Sequence, residues 1–166
     1  MRLEGSTSSY KGITYNNSKP RFFSQSILGD KSVFSLKGNI YLTQKSDTIL
    51  LVKYDGQFDP TFGSGYYQPV LDPTGTYALF SYLPGFMNFK EKNSLQKVDI
   101  KTKKVSVIKN GEFYDLSFSE NGQFLLFQNN ERQGVNNTWI SDIYILDLAT
   151  NEDKKIGEAY SASWRK

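Results

Sequence analysis

The side chains that most often carry catalysis are missing from this chain. Its 166 residues include no histidine and no cysteine. That excludes zinc sites built on those ligands and any Ser-His-Asp or Cys-His apparatus within the chain. Carboxylates remain. Asp55 and Asp59, in the Gly-rich stretch DGQFDPTFGSG (55–65), and Glu112 are of the type that calcium loops and glycosidase pairs use. The two aspartates lack the ligand count of a recognised calcium loop, however, and nothing in the spacing of the three supports a glycosidase pair. They read as turn formers. Asp99 and Asp147 each open an Asp-x-x-Thr sequence, and their recurrence at one place in a repeat fits a structural turn better than catalysis. No catalytic residue, metal site or cofactor is expected, and the chain reads as a non-enzyme.

Residues suited to binding are easier to find. Tyr82, Phe86 and Phe89 lie in YLPGFMNFKEKN (82–93), and Arg132 and Trp139 in NNERQGVNNTWIS (129–141). Large aromatics and arginine dominate interface energetics, and long loops on a rigid scaffold are where binding residues concentrate. These five are the candidate partner-binding residues, for a protein or peptide. The competing reading has the aromatics folding back as lids over the sheet edges.

Charge and hydropathy narrow the partner. A net charge of +3 from 20 basic and 17 acidic residues is too balanced for nucleic acid. The clusters Lys101/Lys103/Lys104 and Lys154/Lys155 read as solvated turns. No apolar run approaches the roughly 18 to 20 residues of a membrane span, so no membrane insertion is expected. The start, MRLEGSTSSYKG, lacks the apolar core of a signal peptide. That leaves a cytoplasmic protein or one whose leader has been removed.

The elements that must position these loops are legible as a repeat. YQPVLDPTGTYALFSY (67–82) and YDLSFSENGQFLLFQN (114–129) align with Gly75 on Gly122, 47 residues apart (122 − 75). Tyr67 then falls on Tyr114, Leu71 on Phe118, Tyr77 on Phe124, Leu79 on Leu126 and Phe80 on Phe127. Each copy is a short strand, a four-residue turn ending in glycine and a more apolar strand. Glycine stands where a tight hairpin needs positive φ. Downstream, LQKVDIKTKKVSVI (95–108) parallels IYILDLATNEDKKI (143–156), with Asp99 on Asp147 and Thr102 on Thr150. Each unit therefore reads as four antiparallel strands, A to D. Tyr and Phe, 11 and 12 residues, supply most of a 15% aromatic content that favours strands.

Further copies flank these two. GEAYSASWRK (157–166) aligns with GEFYDLSFSE (111–120), Trp164 on Phe118, and reads as one more strand A over 160–166. Upstream, a degenerate copy occupies 21–54, where Asn39–Leu42 matches Asp142–Ile145. Four-stranded repeats with a period of about 45 residues imply β-propeller blades; the alternative is a β-sandwich. The expected fold is all-β, with a polar N-terminal segment (1–19) and blades at about 20–54, 66–110 and 113–158, followed by strand 160–166. Three blades and a strand are fewer than the roughly four a ring needs. The chain is thus expected to be part of a longer protein or to complete its ring by self-association.

The turn Phe118-Ser119-Glu120-Asn121-Gly122, the strand Leu125-Leu126-Phe127 and the strand Ile143–Leu148 resemble the TolB-like propeller repeat, as does Leu71-Asp72-Pro73-Thr74-Gly75. That repeat carries a Trp-Ser-Pro-Asp-Gly turn and an Ile-Tyr-Val-Met-Asp strand. Here its Trp recurs only at Trp164, and its Pro-Asp pair is Asp-Pro or Glu-Asn. The resemblance covers about residues 67–164. It implies WD-like blades, a non-enzymatic module that binds a protein or peptide, and an extracytoplasmic location. The same blade type also caps prolyl-oligopeptidase-type enzymes, so the alternative is an accessory propeller of a peptidase- or glycosidase-like hydrolase whose catalytic residues lie outside this chain.

Overall fold

The computed structural model describes residues 7–10, 13–16, 25–59, 63–85, 91–133 and 139–159. Among these residues there are only strands, turns and connections. A two-stranded hairpin, β1 (Thr7–Tyr10) with β2 (Ile13–Asn16), lies within the expected polar segment. Three four-stranded antiparallel sheets follow, each a meander in chain order.

The first sheet is β3 (Gln25–Leu28), β4 (Lys31–Leu36), β5 (Asn39–Gln44) and β6 (Asp47–Val52). The second is β7 (Gly65–Leu71), β8 (Tyr77–Leu83), β9 (Ser94–Asp99) and β10 (Val105–Asn110). The third is β11 (Tyr114–Phe118), β12 (Phe124–Gln133), β13 (Trp139–Asp147) and β14 (Glu152–Ala159). Strands A to D of the repeat are these elements in order.

The middle sheet shows why the chain alternates as it does. Successive side chains of a strand point to opposite faces. In β8 and β9, Ala78 pairs with Val98 and Leu79 with Lys97. Ala78, Phe80 and Val98 accordingly join Val33, Ile40 and Leu42 in a core between the first and second sheets. Leu79 and Leu95 face the other way, with Leu125, Phe127 and Leu146 from the third sheet and Phe113 from the connection before it. Both faces of the middle sheet are thereby buried, so its β8 run Tyr-Ala-Leu-Phe is nearly continuous in apolar residues. Each such Phe or Leu contributes about 1.5–3 kcal/mol by leaving water.

One connection departs from the sequence reading. Residues 129–141 were expected to form a long loop, yet β12 runs on to Gln133 and β13 begins at Trp139, with Gln133 opposite Trp139 and Arg132 opposite Ile140. A bulge between Asn129 and Arg132 takes up the irregularity. Asn130 sits in it at φ 52°, a conformation asparagine tolerates better than most residues. Its N–H donates to Asn129 Oδ1 at 2.6 Å.

Candidate functional site

The two ends of the sheets are built differently. At one end lie the A–B and C–D turns, which in the second and third sheets are closed by side chains. In the second sheet, Asp72 Oδ1 accepts from the backbone N–H of Thr76 and Tyr77, both at 2.7 Å, and Oδ2 from that of Thr74 at 3.0 Å. In the third, Ser119 Oγ takes the equivalent place and accepts from Phe124 N–H at 3.0 Å. Gly75 (φ 67°) and Gly122 (φ 71°) close the two turns by donating to the Asp72 and Ser119 carbonyls, each at 2.9 Å. The glycine equivalence read from the sequence is the geometry found.

The C–D turns repeat in the same manner. Asp99 Oδ1 accepts from the Thr102 N–H at 2.7 Å and from its hydroxyl at 2.8 Å, while Asp147 Oδ1 accepts from Ala149 N–H at 2.8 Å and from Thr150 N–H at 3.3 Å. The Thr102 donors hold the Asp99 carboxyl below its ordinary range. For Asp72, burial pushes the carboxyl up, but the Thr74 hydroxyl and the Tyr77, Thr74 and Thr76 amides outweigh it, and the net shift is downward. These carboxylates accept the amides of their own turns.

At the other end the D–A and B–C connections emerge together. Tyr54 N–H donates to Asn39 Oδ1 at 2.8 Å, which fixes the exit from β6. Tyr66 N–H donates to the Gly38 carbonyl at 2.9 Å, joining the second sheet to the first. That approach requires glycine. Gly65 has φ 113°, and a Cβ there would lie 2.4 Å from Gly38 Cα.

The outcome is a cluster of tyrosines. Tyr54 meets Tyr66 edge-on with centroids 5.9 Å apart; Tyr66 lies 5.1 Å from Tyr82, and Tyr54 lies 6.4 Å from Tyr82. Phe80 supports Tyr66 from below at 5.2 Å. The Tyr82 hydroxyl donates to the Glu91 carboxylate. Burial, with the nearby Glu91 and Tyr54, pushes the Tyr82 hydroxyl well above its ordinary value, and burial with Asp55 and Glu91 raises Tyr66. Both hydroxyls therefore stay protonated at neutral pH. They can donate hydrogen bonds, and their rings can stack.

The expected carboxylate candidates lie around this cluster without forming a pair. Asp55 meets Lys53 at 3.6 Å, both well exposed. The Asp59 backbone is tied into its loop, its N–H donating to Ser64 Oγ at 2.7 Å and its carbonyl accepting from Gly63 N–H at 3.0 Å. Glu112 Oε1 accepts from Asn93 Nδ2 at 3.2 Å. Among the described residues no three His, Cys, Asp or Glu side chains gather as a metal-binding group.

The candidate binding residues fall into three situations. Tyr82 is in the tyrosine cluster. Phe86, Phe89 and the Trp139 side chain lie outside the described residues; the Trp139 backbone opens β13. Arg132 sits on β12 in an ion network: Nη1 meets Asp142 Oδ1 at 2.8 Å and Nη2 meets Glu158 Oε2 at 2.7 Å. Lys155 Nζ lies 2.9 Å from both carboxylates, and Asn130 Nδ2 donates to Asp142 Oδ2 at 3.1 Å. Lys155, Asn130 and Arg132 hold the Asp142 carboxyl far below the usual range. Sequence reasoning missed Tyr54, Tyr66 and Glu91. The available signal was a tyrosine on either flank of the Gly-rich 55–65 loop.

No protein-family model matches the chain, and no curated protein matches it in sequence. Solved structures do match in shape. The β-propeller domain of the Trilobed protease from Pyrococcus furiosus superposes with a TM-score of 0.54 at 14% identity, over 84% of this chain and 43% of that one. Oligogalacturonate lyase from Vibrio parahaemolyticus gives 0.53 at 16%, over 85% and 40%. The sheets are β-propeller blades. TolB from Acinetobacter baumannii is similar at a TM-score of 0.47 and 18% identity, over 77% of this chain and 27% of that one. The chain spans less than half the length of each of these structures.

The three blades are joined along their innermost A strands. β7 lies beside both β3 and β11. Leu71 N–H donates to Ser26 Oγ at 3.1 Å, and Asp115 N–H donates to Gln68 Oε1 at 2.7 Å. A groove of about 520 Å³ opens at the tight-turn end of these strands, lined by Ser26, Leu28, Leu71, Pro73 and Phe118 among others. The connections bearing Tyr54, Tyr66, Tyr82 and Glu91 occupy the opposite face.

Proposed function

We propose that this chain is a non-enzymatic, TolB-like propeller module of WD-like blades whose connection face binds a protein or peptide. One observation carries the reading: the A–B and C–D turns of the second and third sheets are closed by their own side chains at one end, while the other end gathers Tyr54, Tyr66 and Tyr82 with Glu91. Half-buried aromatics with polar tips are what interface anchors require. Peptides selected from a random displayed library on the immobilised protein test the reading. Their binding should be lost on joint replacement of Phe86, Phe89 and Trp139 by alanine, with circular dichroism and melting temperature nearly unchanged. Selected peptides that bind the triple variant equally well contradict it, and a large loss of stability supports the lid role for these aromatics.

A second reading makes the blades an accessory domain of a hydrolase, its support being the shape likeness to a protease propeller domain. A Gly-x-Ser-x-Gly elbow in an attached α/β domain would favour it.

A further inference from the structure

The cluster at the connection face has a chemistry of its own. Resting on the binding face proposed above, we propose that Tyr54, Tyr66 and Tyr82, with Asp55 and Glu91, receive a basic side chain (arginine or lysine) of a peptide partner.

Ring orientation is the first support. The three rings are inclined to one another by 39°, 60° and 81°. They form a corner rather than a flat stack, and each is only partly buried. The face of an aromatic ring carries negative potential and attracts a cation lying within about 6 Å of its centroid. The chain already makes one such contact elsewhere, with Lys97 Nζ 3.9 Å above the Tyr77 ring.

Charge is the second. Glu91 is exposed, takes the Tyr82 hydroxyl, and makes no ion pair among the described residues. Among the described residues Asp55 pairs only with Lys53, at 3.6 Å, the side chains being 85% and 73% exposed respectively. An exposed pair of that kind is worth little, so a ligand cation displaces it readily. Asp55 and Glu91 both lie near enough to raise the Tyr66 hydroxyl, after burial, above its ordinary value.

Rigidity is the third. Gly56 lies flat on Tyr54, where a Cβ would come within 2.4 Å of the hydroxyl oxygen. With Gly65 seated on Gly38, the corner is held in place before any ligand arrives, which lowers the ordering cost of binding. The held ring faces, with two carboxylates nearby, suit an organic cation. Among the described residues no third acid joins the two carboxylates as a metal-binding group, so the corner falls short of the six to eight oxygens of a calcium site.

Two blocked peptides serve as probes, acetyl-Gly-Gly-Arg-Gly-Gly-amide and its norleucine counterpart, titrated at low salt into the intact protein. The readout is the aromatic NMR resonances of Tyr54, Tyr66 and Tyr82. The arginine peptide should shift these resonances saturably, and the norleucine peptide should bind about tenfold or more weakly. Glu91→Gln, which keeps an acceptor for the Tyr82 hydroxyl, should weaken the arginine peptide by about fivefold or more, with Asp55→Asn as a second variant that leaves the ring contacts alone. Equal binding of the two peptides, or no ring shifts with either, overturns the proposal. If library-selected peptides bind this face but lack basic residues and ignore Glu91→Gln, the binding face stands and the cation site falls. If they avoid the face altogether, both readings fall.

Discussion

Gln68 and Asp115 occupy the same place in successive blades and are bonded to each other. Both sit in bulges of an innermost strand, at φ 51° and 50°, and Asp115 N–H donates to Gln68 Oε1 at 2.7 Å across 47 residues. A bulge leaves a residue without its ladder partner, and here the neighbouring blade satisfies it. The repeat thus links blades as well as forming each one.

Gln68→Ala removes that acceptor. The expected loss is about 0.5–1.5 kcal/mol of unfolding free energy in urea. An unchanged denaturation midpoint would mean that the bond contributes nothing to blade docking.

Glycine substitutions should follow a graded order. Gly122→Ala forces φ 71° on an L-residue and sets its Cβ 3.1 Å from the Pro73 ring; it should cost about 1 kcal/mol or more. Gly65→Ala drives a Cβ into the Gly38 backbone at 2.4 Å. It should be the worse of the two and lower the melting temperature further. The reverse order would contradict the contact between the first two blades.

Asp72 gives a pH signature. Its folded carboxyl titrates below the ordinary value because the turn donors outweigh burial. A depressed folded value contributes stability that is fully present above the unfolded carboxyl's titration, about pH 4, and is lost as pH falls through the folded value. The stability difference between the protein and its Asp72→Asn variant should be constant near neutrality and shrink below about pH 4. Thermal melts across that range check it, and a difference growing towards acid would contradict the sign.

Arg132 anchors the ion network at the tip of the third blade. Arg132→Ala should raise the Asp142 titration midpoint towards the ordinary carboxylate range, because one of the three donors Lys155, Asn130 and Arg132 is lost. Carboxyl-carbon NMR titration reads this directly. An unmoved midpoint would assign the hold on Asp142 to Lys155 and Asn130.

The blades were legible in sequence because their turns demand particular residues. A positive-φ glycine at 75 and 122, and an aspartate facing its own amides at 99 and 147, leave a mark at a fixed offset. The bulges at Gln68 and Asp115 leave none, since a polar residue in a strand looks like ordinary outward alternation. The long β12–β13 hairpin was hidden because Asn, Glu, Arg and Gln read as loop, and only the fold brings Arg132 to Asp142 and Glu158. Tyr54 and Tyr66 were visible as tyrosines; their convergence on Tyr82 depends on Gly38 meeting Gly65, a contact no local pattern encodes.

The most direct test of the binding face is an NMR map of a library-selected peptide on the isotope-labelled protein. The account predicts amide shifts concentrated at residues 54–58, 82–85 and 91–93 and at the β12–β13 tip, with the turns at Asp72, Asp99, Ser119 and Asp147 unmoved. Shifts concentrated at those four turns, with Tyr54, Tyr66 and Tyr82 silent, would contradict it.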